Sequence, residues 1–115
     1  EVEDLKKIVS GALFNVEYRI DAHKIHVEEE YRKYRGNVKT KCSRRMIMGA
    51  IINVIDNSIY WLKRKQLQSK KLNQSFDKKI YINIFNDRRG YLDLLIADNG
   101  TGFDLPISQI TKPFI

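Results

Sequence analysis

The chain has few of the residues from which metal sites and disulfide frameworks are built. It contains one cysteine and two histidines among 115 residues, so neither a disulfide framework nor a zinc-ligand cluster is expected. No apolar run approaches the roughly 18 residues of a membrane span. These absences predict a soluble domain in a reducing, cytoplasmic setting. With 43% apolar residues, the chain is long enough to form one modest core.

Positive charge is plentiful but unevenly distributed. The formal net charge is +7, and the segment 63–79 alone has seven lysines and arginines against Asp77, which leaves +6. Two interpretations stay open for this segment. It is either the solvated end of a helix followed by a polar connection, where the helix dipole favours lysine, or a surface that meets an acidic partner.

Hydrophobic periodicity predicts two helices and four strands. Helices are expected over 2–20 and from Arg44 to about Lys65, the second with Ser43 as its N-cap. Strands are expected over 24–31, 38–42, 79–85 and 91–97, and a turn at 86–90 joins the last two as a hairpin. Beyond Gly102 the chain is expected to form an ordered loop.

The second helix carries two asparagines on one face. The centre of its buried arc is predicted to consist of Ile47, Ile51, Val54, Ile55, Ser58 and Leu62, with Met48, Ile52 and Ile59 widening it. Asn53 and Asn57 lie four residues apart, hence about 40° apart around the helix, and are expected at one flank of the arc, where a cleft could open. Asp56 and Lys63 are expected to face water.

A second motif follows the last predicted strand. Asp98-Asn99-Gly100-Thr101-Gly102-Phe103 places a carboxylate at the strand end and then two glycines, where the backbone can turn and approach a ligand closely. The competing interpretation is plain turn chemistry, since Asp-Asn-Gly is a strong hairpin signal, although no alternating strand follows Gly102. The phosphate loop Gly-x4-Gly-Lys-Ser/Thr and the Gly-x-Gly-x-x-Gly fingerprint are both absent.

These two motifs together resemble the ATP-binding domain of the GHKL superfamily, which includes sensor histidine kinases, gyrase B subunits, MutL and the ninety-kilodalton heat-shock chaperones. The asparagine helix, at 51–62, matches the family's N-box, and Asp98-Asn99-Gly100-Thr101-Gly102 matches its first glycine box, Asp-x-Gly-x-Gly. The resemblance implies an α/β two-layer sandwich of the Bergerat type, with helices on one face of a mixed sheet. ATP with Mg²⁺ would lie between the asparagine helix and the loop after Asp98.

The resemblance also implies individual roles. Asn57 would give its side-chain oxygen to Mg²⁺, a hard ion that prefers oxygen ligands. The alternative is that Asn57 has no ligand and bonds only water or a loop backbone. Asp98 would accept a hydrogen bond from the adenine exocyclic amine, which favours adenine over guanine. Gly100 and Gly102 belong to the same nucleotide-binding loop. Trp61 falls where an aromatic residue often walls the adenine pocket, and it could equally belong to the core.

Asn53 indicates which branch of the family the chain resembles more. Hydrolysing members carry a glutamate there as general base, and an amide cannot take a proton at neutral pH. The histidine-kinase branch of two-component signalling is therefore favoured. Its phosphoacceptor histidine would lie on another domain, and homodimers would form through regions outside this segment. Tyr60 departs from the pattern, because histidine kinases usually carry a basic residue at that position.

The histidines, the alternative functions and the expected partners remain to be stated. His23 and His26 are expected to be ordinary strand-edge histidines rather than phosphoacceptors. The alternatives are an ATP-hydrolysing GHKL ATPase of the chaperone or MutL type, and a non-catalytic domain that uses its basic segment 63–79 on nucleic acid. Under the favoured interpretation neither nucleic acid nor a membrane is an expected partner of this domain.

The end of the sequence resembles the family's proline-phenylalanine segment that introduces the ATP lid, at 110–115. The second glycine-rich box and the closing helix and strands are not in this sequence. Residues 1–115 are therefore expected to form a single GHKL domain that is incomplete at its C-terminus and inactive as a catalyst alone.

Overall fold

The protein is a mixed α/β domain, described here for residues 1–87 and 89–100 from a computed structural model. Its elements in chain order are β1 (Val2–Asp4), α1 (Leu5–Ala22), β2 (His26–Glu29), a 3-10 helix (Glu30–Lys33), β3 (Lys39–Lys41), α2 (Arg44–Lys71), β4 (Lys79–Asn86) and β5 (Leu92–Asp98). One small sheet pairs β1 with β3, and the larger sheet has the order β2-β4-β5. The larger sheet is mixed, because β2 runs parallel to β4 whereas β4 and β5 form the predicted antiparallel hairpin.

The first helix begins at Leu5, so the prediction of helix over residues 2–4 is wrong. The Asp4 carboxylate caps α1 by accepting a hydrogen bond from the Lys7 backbone N–H at 3.2 Å. The residues before this cap are extended and pair with β3, with Val2 opposite Lys41. The strand predicted over 38–42 is present as β3, and its partner in the sheet is β1.

The strand predicted over 24–31 is shorter than expected. Lys24 has a φ of 52°, which ends the α1–β2 turn in the left-handed region, and β2 covers only His26–Glu29. The 3-10 helix that follows buries Tyr31 completely. The Tyr31 hydroxyl donates to the Glu29 carboxylate at 2.9 Å, which holds this turn against the core.

The second helix is longer than predicted and its buried arc is rotated. The Ser43 hydroxyl accepts from the Met46 backbone N–H at 3.3 Å, which confirms the N-cap, but α2 continues to Lys71. Its buried residues are Ile51, Ile55, Ser58, Ile59, Leu62 and Ser69. Val54, predicted at the centre of the arc, is 43% exposed, because it points about 100° away from its buried neighbour Ile55.

The core lies between the helices and one face of the larger sheet. Along β4, Ile80, Ile82 and Ile84 are buried and alternate with less buried residues, so the core occupies one face. Buried side chains of α1 and α2 complete the same cluster. At Gly11, where α1 passes α2, a Cβ would come within 2.7 Å of the Met48 Cε atom, the far end of a flexible side chain that can shift.

An ion pair joins the two helices on the surface. Arg19 Nη1 lies 2.7 Å from Asp56 Oδ1, and Asp56, which was expected to face water, is half-buried beside this partner. Lys63 is exposed, as predicted. Within the described part of the chain, neither helix combines the length and the apolar character that crossing a membrane requires.

Candidate functional site

One side of α2 carries an exposed stripe of polar and aromatic residues. Asn53, Asn57 and Trp61 follow one another at intervals of four residues, so their side chains are neighbours along the helix, and all three are exposed. Trp61 is 44% exposed, so the interpretation that it belongs to the core is wrong. Val54 is also exposed and lies three residues before Asn57, which adds apolar surface to the stripe.

Arg64 is a member of this stripe that the sequence analysis does not single out. Its guanidinium carbon lies 5.6 Å from the centre of the Trp61 ring and 5.9 Å from that of Tyr60. Its Nη1 donates to the Tyr60 hydroxyl at 3.2 Å. Arg64 follows Asn57 by seven residues, the spacing that returns to the same helix face, and this spacing is the signal that could have identified it. It brings a cation to the face on which Tyr60 replaces the expected basic residue.

Asp98 ends β5 on the core-bearing face of the sheet. Its Cα is paired with that of Ile80, and antiparallel partners project to the same face. Its Oδ1 accepts from the Gly100 backbone N–H at 2.9 Å, the bond of an Asx turn. The turn-chemistry interpretation is therefore correct for this bond.

Asn99 fastens the same turn to the start of β4. Its Oδ1 accepts from the Lys79 backbone N–H at 2.8 Å, and its Nδ2 donates to the Asp77 carbonyl at 2.8 Å. The sequence pattern did not predict that Asn99 bonds the backbone of residues 77 and 79. The only signal for it was an asparagine directly after a strand, a residue type that commonly bonds to backbone groups.

Gly100 brings the two sequence motifs together. It is buried, and a Cβ at this position would lie 2.8 Å from the Leu62 backbone nitrogen and 2.9 Å from the Leu62 Cα. The turn after β5 therefore rests directly on the backbone of α2, next to Trp61 and one turn after Ser58. Gly102 lies outside the described residues, as does the predicted lid segment at 110–115.

One side chain at this site could give an oxygen ligand to a metal ion. Among residues 1–87 and 89–100, no group of three histidine, cysteine, aspartate or glutamate side chains could hold a metal ion. Asn57 offers one neutral oxygen from an exposed position. One such ligand fits Mg²⁺, which keeps several waters and takes its remaining ligands from substrate phosphates.

Basic side chains gather near the start of β4, beyond this turn. Lys78 is buried, and its Nζ donates to the Gln66 Oε1 atom at 2.7 Å. Burial lowers the pKa of the Lys78 ammonium, and the neighbouring Lys24 and Lys70 lower it further. The pKa of His23 is lowered as well, first by partial burial and then by Lys63 and Lys78. Burial is the larger cause of both shifts, and the neighbouring lysines add to it.

We expect His23→Gln to change how the stability of the protein depends on pH. Because the folded state lowers the His23 pKa from 6.5, the unfolded chain binds this proton more readily. The His23 contribution is fully present above about pH 6.5 and is lost as the pH falls toward the folded-state pKa. Urea unfolding of the variant should therefore show a shallower loss of stability below about pH 6.5.

The matched control is His26→Gln, whose side chain pairs with Glu28 at 3.2 Å. This variant should keep the loss of stability on acidification that His23 causes. Identical profiles for His23→Gln and the parent protein would contradict the role given to His23.

Comparison with known proteins gives no match. No family model matches the chain, and searches of curated proteins and of solved structures find no match.

Proposed function

We propose that this chain binds Mg-ATP as a GHKL-type domain of Bergerat fold, the ATP-binding domain of a sensor histidine kinase-like signalling protein. One observation carries the proposal: Gly100 rests on the α2 backbone at Leu62. This contact brings the Asp98 turn to the helix that carries Asn53 and Asn57. The mixed sheet with its parallel β2–β4 pair and antiparallel β4–β5 hairpin supports the proposal at the level of fold class.

The proposed ligand matches the chemistry of these side chains. The Asp98 carboxylate accepts a hydrogen bond from the adenine exocyclic amine, because an ionised carboxylate can only accept. Val54 and Trp61 supply exposed apolar surface for the flat base. Asn57 would hold Mg²⁺ through its amide oxygen, and the ion would neutralise charge on the phosphates, while Arg64 adds a cation to the same face of the helix.

The absence of a carboxylate at Asn53 favours phosphoryl transfer to a protein histidine over hydrolysis. A water molecule near the γ-phosphate would need a base to take its proton, and an amide cannot serve as one. The bound nucleotide would then be held until a phosphoacceptor histidine on another domain approaches. A hydrolysing GHKL ATPase would have to draw its base from a different residue.

The proposal is tested by Asn57→Ala. The variant should weaken binding of Mg-ATP by roughly tenfold or more while leaving binding of metal-free adenosine unchanged, because only the phosphates need the ion. Calorimetric titration of both ligands measures the difference. The control is Gln68→Ala, which removes another exposed amide from α2 and should leave both affinities unchanged. Equal losses for the two ligands, or no loss at all, would contradict the metal role of Asn57.

A further inference from the structure

A pocket lies at the edge of the larger sheet where β2 and β4 begin. It has a volume of about 340 Å³ and is lined by Lys24, His26, Phe76, Asp77, Lys78 and Lys79. None of these residues belongs to α2 or to the turn 98–100. The pocket is therefore built from a different set of side chains than the candidate nucleotide site, although Asn99 bonds the backbone of two residues in its wall.

The pocket concentrates positive charge that the described residues do not balance. Three lysines and one histidine line it against a single acid, Asp77, which is exposed. Of the ion pairs formed between described residues, none includes Lys24, Lys78 or Lys79. Like charges held this close repel one another, and the lowered pKa of Lys78 has Lys24 among its causes.

The fold fixes these cations in place. Lys78 is only 7% exposed and is anchored to the neutral Gln66, so it keeps ammonium donors beyond the one that Gln66 accepts. Lys24 stands in a turn whose backbone N–H donates to the Asp21 carbonyl at 3.0 Å. The His26 backbone N–H donates to the Lys78 carbonyl at 2.9 Å, which joins the β2 side of the pocket to the β4 side. The backbone thus brings the three lysines to one edge of the sheet, where Lys78 is held by its side chain and Lys24 and Lys79 are exposed.

We propose that this pocket binds a small phosphate-bearing anion with at least two negative charges. Lysine ammonium groups are compact point charges that suit phosphate oxygens, and a multivalent anion offsets more of the repulsion than a single carboxylate does. The volume admits a small molecule, and Phe76 gives the pocket one apolar wall. This assigns part of the basic segment 63–79 to a ligand that is distinct from the Mg-ATP of the α2 site.

Calorimetric titration of the 115-residue chain with pyrophosphate tests this proposal, without Mg²⁺ and at low ionic strength. The double variant Lys24→Gln/Lys78→Gln should lose roughly tenfold or more in affinity, and added salt should weaken binding to the parent protein. Lys41→Gln removes an exposed lysine from β3 and should bind like the parent.

Several results would overturn the proposal. Failure of pyrophosphate to bind the parent protein at millimolar concentration is one such result, and a loss of affinity in Lys41→Gln as large as that in the double variant is another. A short single-stranded oligonucleotide whose affinity falls in the double variant, while the affinity of pyrophosphate does not, would assign the lysines to nucleic acid. Because Lys78 is buried, folding of the double variant is checked by circular dichroism. If it does not fold, Lys24→Gln alone, at an exposed position, decides the test by a loss of about threefold or more.

Discussion

Asp98→Asn is expected to lower the affinity for ATP by roughly tenfold to a hundredfold while the protein stays folded. The amide oxygen of asparagine can still accept the hydrogen bond that the Asp98 Oδ1 atom now accepts from the Gly100 backbone at 2.9 Å. The other oxygen, however, is replaced by an N–H₂ donor. A donor opposite the adenine exocyclic amine repels it and leaves both groups without a partner, and hydrogen bonds to charged groups contribute about 1.5–3 kcal/mol.

The same substitution should change the preference among bases. Guanine presents a carbonyl acceptor where adenine presents its amine, so an asparagine donor would favour guanine more than aspartate does. Titration of both proteins with Mg-ATP and Mg-GTP should therefore give a smaller ATP-to-GTP ratio of affinities for the variant. A ratio that does not move would contradict direct contact between Asp98 and the base, even if both affinities fall.

The control for this variant is Asp93→Asn, which makes the same change of charge on the same strand. Asp93 is exposed, lies at the other end of β5 and is paired with Phe85. It should keep the affinity and the base preference of the parent protein. A comparable loss in both variants would mean that net charge, rather than the position of Asp98, determines nucleotide binding.

The elements that the sequence predicts best are those whose pattern is local. The β4–β5 hairpin follows from alternating side chains around a turn, where Asp87 Oδ1 accepts from the Arg89 and Tyr91 backbones at 2.8 and 3.0 Å. The start of α2 follows from the Ser43 cap. In both cases the residues that decide the structure lie within a few positions of one another, so the sequence pattern is sufficient.

The errors arise where distant residues decide the outcome. Val2–Asp4 has a helical pattern in sequence, yet it is a strand because β3, more than thirty residues later, provides its partner. Val54 has the apolar character of a core residue but lies on the side of α2 away from the packed face, and the periodicity fixes the arc only to within one residue position. The extension of α2 to Lys71 accompanies the contact between Gln66 and Lys78.

The residues of the candidate site also fall into two groups, those that a local pattern identifies and those whose role depends on distant contacts. Asn53, Asn57, Trp61 and Asp98 are visible as motifs, because their spacing within one helix or at one strand end is local. The anchoring of Asn99 to residues 77 and 79, and the position of Arg64 over two aromatic rings, depend on tertiary structure and on side-chain geometry. Sequence reasoning therefore identifies the groups that would touch a ligand more readily than the groups that hold them in place.

Gly100→Ala should destabilise the protein by about 1–3 kcal/mol and weaken ATP binding, because the added methyl group would meet backbone and not a flexible side chain. A Cβ at this position would lie 2.8 Å from the Leu62 nitrogen and 2.9 Å from its Cα, so either the turn after β5 or α2 must move. A displaced turn moves Asp98 relative to α2 and so alters the proposed nucleotide site. Urea unfolding measures the stability, and titration with Mg-ATP measures the affinity.

Gly49→Ala is the matched control, since it adds the same methyl group to α2 at a position with no atom within 4 Å of the new Cβ. Alanine is the better helix former, so this variant should gain about 0.5–1 kcal/mol and bind ATP like the parent protein. The two substitutions are therefore expected to shift stability in opposite directions. If Gly100→Ala were as stable as the parent, the turn would not rest on α2 in solution, and the contact that joins the two motifs would be absent. If instead it lost stability but kept full affinity for Mg-ATP, the contact would serve the fold alone, and the nucleotide would bind elsewhere.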